Sequence, residues 1–135
     1  MSATIDAVLA AARARIDRYA PADAAVADAL IVDLRCGDVR AQTGIIPGSV
    51  HVPRSVLEWR CDPGSGYANR VLAGRRLILV CEHGHSSSLA AASLRDLGVD
   101  AADLEGGFEA WVAAGLPVKP APPSPSGLPG MGGPE

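Results

Sequence analysis

With 135 residues the chain can bury one hydrophobic core and is too short for two domains. Aromatic residues are only 4% against 48% apolar residues overall, so aliphatic side chains and alanine must fill that core. A formal charge of −3 with no basic stripe argues against a nucleic-acid partner, and no apolar run approaches the ~20 residues that cross a bilayer, which argues against a membrane one.

In chain order, residues 3–18 set Ile5, Val8, Leu9, Ala12 and Ile16 on one helical face. Asp6 near the start and Arg13, Arg15 and Arg18 near the end complement the helix dipole. The expected use of this amphipathic face is packing on its own domain rather than on a membrane. The same charges leave no secretory apolar segment, and the three cysteines, Cys36, Cys61 and Cys81, have no disulfide-framework spacing. A reducing, cytoplasmic location is the expectation.

Pro21 opens a short helical turn through Ala27, and Leu30–Leu34 is apolar enough for a central parallel strand. Asp33 and Arg35 at its end read as a structural ion pair, with Cys36 beside them. Arg40 is either a solvated helix charge, the preferred reading, or an anion ligand facing a pocket. Ile46-Pro-Gly48 is a turn, and Ser49–Pro53 a short strand carrying His51 as a structural histidine. Residues 55–60 read as a helix with Trp59 as its core anchor, followed by a loop at Asp62–Gly66. Asn69–Gly74 is a further short helix or turn.

The most informative stretch is Leu77-Ile-Leu-Val-Cys81-Glu-His-Gly-His-Ser86-Ser-Ser-Leu-Ala-Ala. It reads as a buried strand, a tight glycine-containing loop, and a helix over Ser87–Leu97 with Ala90, Leu94 and Leu97 inward and Gly98 closing it. Loop N–H groups and the positive helix end then face the Cys81 sulfur, which favours a thiolate over a thiol of ordinary pKa ~8.5. A buried, inert cysteine is the bland alternative. Ala101–Leu104 is a short strand and Gly107–Ala114 a helix buried through Phe108 and Trp111. Of the seventeen residues from Lys119 onward ten are proline or glycine, so no packed structure is expected there. The expected organisation is an N-terminal helical segment 1–14, a domain 15–118 and a disordered tail 119–135. Alternating strands and helices, with about five strands, give an α/β class with a parallel sheet between helices.

Three blocks resemble one family. Cys81-Glu-His-Gly-His-Ser86 resembles the active-site loop of rhodanese-like domains, whose single-domain members usually read C-x-x-G-x-R. Asp33-Leu-Arg35 with Gly44-Ile-Ile-Pro-Gly48-Ser-Val-His-Val-Pro53 resembles their D-x-R … G-H-I-P-G-A-x-N-I-P, and Gly106-Gly107 through Trp111 to Gly115 and Pro117 resembles their closing block. The resemblance implies a three-layer α/β/α fold with strand order 3-2-4-5-1 and Cys81 after the fourth strand. It also implies a sulfurtransferase: Cys81 takes sulfane sulfur from a small donor, persulfide or thiosulfate, and passes it to a thiol acceptor, with no cofactor and no metal. Glu82, His83, Gly84, His85, Ser86 and Ser87 would line the sulfur site, Arg40 and Arg60 would offer charge to a bound anion, and Asp33 and Arg35 would hold the loops.

This loop departs from the pattern at Ser86, which replaces the usual arginine, and at Glu82, where thiosulfate users often carry a cation. Ser86 is expected to cap the helix and donate to the sulfur. A related phosphatase or arsenate reductase site needs C-x5-R, and Ser87 stands at that arginine. A metal site from Cys81, His83 and His85 lacks an evident fourth ligand. The main rival is a weakly catalytic binding or redox-sensing module built on the same fold.

Overall fold

A computed structural model describes residues 2–123 and 127–135. Five strands form one all-parallel sheet: β1 (Arg18–Tyr19), β2 (Leu30–Asp33), β3 (Val50–His51), β4 (Leu77–Val80) and β5 (Ala101–Leu104), in the spatial order β1-β5-β4-β2-β3. This is the expected order read from the opposite edge. Leu77 pairs with Leu30 on one side and with Ala101 on the other, so β4 lies at the centre.

Alternation along β4 divides the core. Leu77 and Leu79 join Leu30, Val32, Leu57, Ala90 and Leu94 on one face, under α4 (Leu57–Cys61) and α5 (Ser86–Asp96). Ile78 and Val80 join Ala24, Leu104, Phe108 and Trp111 on the other, under α2 (Pro21–Val26) and α6 (Gly107–Ala113). Both faces are covered, which is why β4 reads as an unbroken apolar run rather than an alternating one. α3 (Gly37–Thr43) follows β2, and two 3-10 turns, Arg54–Val56 and Arg70–Leu72, complete the connections.

Several expectations change. The N-terminal helix, α1, spans Ile5–Arg13, capped by the Thr4 side chain accepting from the Ala7 N–H, and packs on α5. Its chain then turns into the two-residue edge strand β1, too short to leave an alternation signal. Trp59 is 56% exposed and Leu57 is the buried anchor of α4, because the helix begins at Leu57 and this sets its inward face. Leu97 is 45% exposed as the last residue before Gly98, while Ala91 takes the inward place.

The described residues of the tail also depart from the expected lack of packing. Ile45 and Lys119 form an antiparallel bridge, and the carbonyls of Pro129, Gly130 and Gly132 accept hydrogen bonds from the buried Arg60 and Asn69 side chains. The Glu135 N–H donates to Ser49 O at 2.8 Å. A proline- and glycine-rich segment lacks its own core but keeps its carbonyls free, and here buried donors take them up. Residues 124–126 of the tail lie outside the described residues. Among the described residues no helix is long and apolar enough to cross a membrane.

Candidate active site

Parallel pairing brings β2 and β4 to a common carboxyl edge, with Asp33 opposite Val80. Cys81 leaves β4 there and is 7% exposed. Its Sγ accepts hydrogen bonds from the Gly84 N–H at 3.2 Å and the Ser87 N–H at 3.3 Å, and lies 3.2 Å from Ser87 Oγ. Burial pushes the thiol pKa up, but donation from the Ser87 and Ser86 hydroxyls and from the Ser87 and Gly84 N–H groups outweighs it, so the pKa lies below its ordinary value. Ser86 does not cap α5 as expected: it is the first residue of the helix, and His85 before it makes no side-chain cap bond.

The loop is clamped from outside. Gly84 has φ +79°, and a Cβ there would sit 2.6 Å from Gly106 N. Gly107 is tighter: its φ is +65°, and a Cβ would lie 2.4 Å from Cys81 O. That close approach lets the start of α6 satisfy the loop carbonyls, with Phe108 N donating to Cys81 O at 2.8 Å and Glu109 N to Glu82 O at 3.1 Å. From below, Gly84 O accepts from Arg13 Nη2 at 2.8 Å and Arg18 Nη2 at 3.0 Å.

Asp33 and Arg35 form the expected pair, with two parallel contacts at 3.0 and 2.9 Å. Arg35 also donates to Thr43 Oγ1, to Gly44 O and, at 3.4 Å, to Glu82 Oε2, and its guanidinium stacks 3.7 Å over the Phe108 ring. Through Arg35 the first motif is tied to the sulfur loop. His51 Nε2 lies 2.6 Å from Arg35 O. Its pKa is lowered, because burial outweighs that bond.

The remaining candidates fall elsewhere. Arg40 is buried rather than solvated, bonded to Asp33 Oδ2 at 3.1 Å and paired with Glu135, so its charge is taken. The Arg60 guanidinium donates to Pro129 O and Tyr67 O and to no residue of the Cys81 loop. His83 is exposed and turns outward to Glu109 at 2.6 Å; His85 is also exposed. Among the described residues no three of His, Cys, Asp and Glu converge as metal ligands. Cys61 is buried among Leu57 and Leu72, and burial pushes its thiol to about 12, whereas Cys36 is exposed.

Sequence reasoning took Arg13 and Arg18 only as helix-end charges and passed over Asp103. The available signal was Asp103 itself: a carboxylate in the apolar strand Ala101–Leu104 must find partners if it is buried.

A family model described as the rhodanese-like domain matches residues 13–114. A protein of unknown function from Rhodopseudomonas palustris, described as a possible tyrosine phosphatase, is 35% identical, with a TM-score of 0.82 over 88% of this chain and 96% of that one. The thiosulfate sulfurtransferase of Pseudomonas aeruginosa is 30% identical, with a TM-score of 0.61 over 78% of this chain and 20% of that one. The adenylyltransferase and sulfurtransferase MOCS3 of Arabidopsis thaliana is 35% identical over 78 residues, which is 50% of this chain and only 17% of that protein.

Proposed function

The chain belongs to the rhodanese-like domain family, and on that premise we propose that it is a sulfurtransferase working through a Cys81 persulfide. The Cys81 thiolate attacks the sulfane sulfur of a donor. The donor's sulfur bond breaks, the leaving group departs with the electron pair, and Cys81 holds the outer sulfur as an anion. An acceptor thiolate then attacks that outer sulfur and releases Cys81 as a thiolate, with no net oxidation. The observation that carries this reading is the set of groups at Cys81 Sγ: two loop N–H groups donating within 3.3 Å, with the Ser87 hydroxyl 3.2 Å away.

The likeness to a possible tyrosine phosphatase does not favour a second reading. A phosphate dianion needs the arginine that Ser87 replaces, and Ser87 is buried between Cys81 and the carboxylate of Asp103.

The test is intact-mass spectrometry after incubation with a persulfide of a small thiol. The expected result is a one-sulfur adduct of about +32 Da that thiols discharge. It should vanish in Cys81→Ser and persist in Cys36→Ser and Cys61→Ser. An adduct undiminished in Cys81→Ser overturns the assignment, and an adduct that thiols fail to discharge supports a binding or redox-sensing module instead.

A further inference from the structure

Beneath the Cys81 loop lies a carboxylate to which the sulfur cycle gives no role. Asp103, in β5, is 0% exposed. Its Oδ1 accepts from Arg18 Nε at 2.8 Å, and its Oδ2 accepts from Ser88 Oγ at 2.7 Å, from Ser87 Oγ at 2.8 Å and from Arg18 Nη2 at 3.3 Å. Ser87 Oγ also lies 3.2 Å from Cys81 Sγ. A hydroxyl has one proton, so Ser87 donates either to the sulfur or to the carboxylate at any moment.

We infer that Asp103 is a positioning residue that acts through the Ser87 hydroxyl to set the charge state of Cys81. The inference rests on the reading of Cys81 as a working thiolate. In the thiol form the S–H donates to Ser87 Oγ, and Ser87 donates to Asp103. When the thiol proton leaves to solvent, the Ser87 O–H turns to the negative sulfur, and Asp103 keeps Ser88 and Arg18. In the persulfide the charge moves to the outer sulfur, Sγ becomes a poor acceptor, and Ser87 returns to Asp103. Neither Ser87 nor Asp103 gains or loses a proton over the cycle. The carboxylate thus competes for the proton that stabilises the thiolate, and its other donors weaken that competition.

The charged and titratable groups around this network come from every side. Arg18 reaches it from β1, and Arg13 from α1 bonds Ser88 Oγ at 3.1 Å as well as Gly84 O. On the solvent side of the loop Glu82 faces Arg35, and His83 faces Glu109.

The test is the rate of Cys81 alkylation by iodoacetamide against pH in the full chain, read on the Cys81 peptide by mass spectrometry. Ser87→Ala should raise the midpoint by on the order of one pH unit, about tenfold less thiolate near neutrality, because a donor to the charged sulfur is lost. Asp103→Asn should lower it, because a weaker acceptor releases the hydroxyl to the sulfur. In the Ser87→Ala background the same Asp103→Asn change should lower it less. Equal lowering in both backgrounds would mean that the carboxylate acts by its field alone and would overturn the inference, as would a rise in Asp103→Asn. Should Asp103→Asn fail to fold, Ser88→Ala gives the answer. It removes a competing donor from a still-charged Asp103 and should raise the midpoint; an unmoved midpoint overturns the inference. Alkylation needs no sulfur transfer, so a wild type that forms no one-sulfur adduct would sink the sulfurtransferase reading while leaving these midpoints readable.

Discussion

On the proposed sulfurtransferase reading, Ser86 and Glu82 would set how the loop meets an anionic donor. Thiosulfate carries two negative charges, and arginine is the residue best suited to hold them. Beside the loop, the largely buried cluster of Arg35 and Arg40 against Asp33, Glu82 and Glu135 has two positive and three negative members, so it offers no net positive charge. A like charge a few ångströms from a substrate costs about 1–4 kcal/mol at effective dielectrics of roughly 20 to 80. Arg35, 3.4 Å from Glu82, cancels part of that cost, and the Glu82 side chain is 36% exposed, which screens more of it. Thiosulfate should therefore be a poorer donor than persulfides of small thiols, with Ser86→Arg raising its kcat/KM about tenfold or more and Glu82→Gln by less than about fivefold. Steady-state kinetics on the two variants provides the check. Efficient wild-type turnover of thiosulfate that neither substitution improves would show that charge from elsewhere dominates, such as that of Arg13 and Arg18, which donate to Gly84 O.

Among the elements, α6 contributes more to the site than its seven residues suggest. Its start is pressed against the loop so closely that Gly107 leaves no room for a side chain, and two of its N–H groups fix the carbonyls of Cys81 and Glu82. The glycine pair of the closing motif is thus a contact requirement as well as a turn. Gly107→Ala must move either α6 or the Cys81 peptide, at a cost of roughly 2–4 kcal/mol. That should lower Tm by roughly 8–16 °C and sharply reduce sulfur transfer. Gly98→Ala is the matched comparison: its φ is +78° but no atom lies within 4 Å of the added Cβ, so about 1 kcal/mol is expected, with transfer intact. Thermal melts and adduct discharge rates read both. Equal losses in the two variants would mean that backbone handedness, and not the contact with Cys81, matters at Gly107.

Across the whole molecule, the described residues of the tail join the fold at three places: Lys119 on Ile45, the 129–132 carbonyls on Arg60 and Asn69, and Glu135 on Arg40 and Ser49. Each such bond is worth only about 0.5–1.5 kcal/mol net, and ordering a chain rich in glycine costs against it. A chain ending at Val118 should fold and keep Cys81 chemistry, with Tm lowered by several degrees, since loss of the tail exposes Arg60 and Asn69 to water rather than burying them unpaired. An unchanged Tm by calorimetry would show that these contacts contribute no stability. A loss of sulfur transfer at equal Tm would tie Glu135, through Arg40 and Asp33, to the site.

The sequence alone determined the strand, loop and helix around Cys81, because those signals are local. Four apolar residues, a glycine and a run of helix formers lie within fifteen positions, and backbone sterics and periodicity act over that range. It also determined the Asp33–Arg35 pair, two residues apart, and, through the three motif blocks, the family's sheet order. Partner choice among charges was decided only by the tertiary structure. Arg18 and Asp103 are 85 residues apart and meet because β1 lies beside β5; Arg13 reaches Gly84 O across 71 residues because α1 lies on α5. Arg40 shows the same limit: one sequence position is compatible with a solvated charge or a buried pair, and only the packing of Asp33 and Glu135 around it selects between them. The inward face of α4 turned on where the helix begins, a matter of one or two residues that periodicity does not fix and that put Leu57 inside and Trp59 in water.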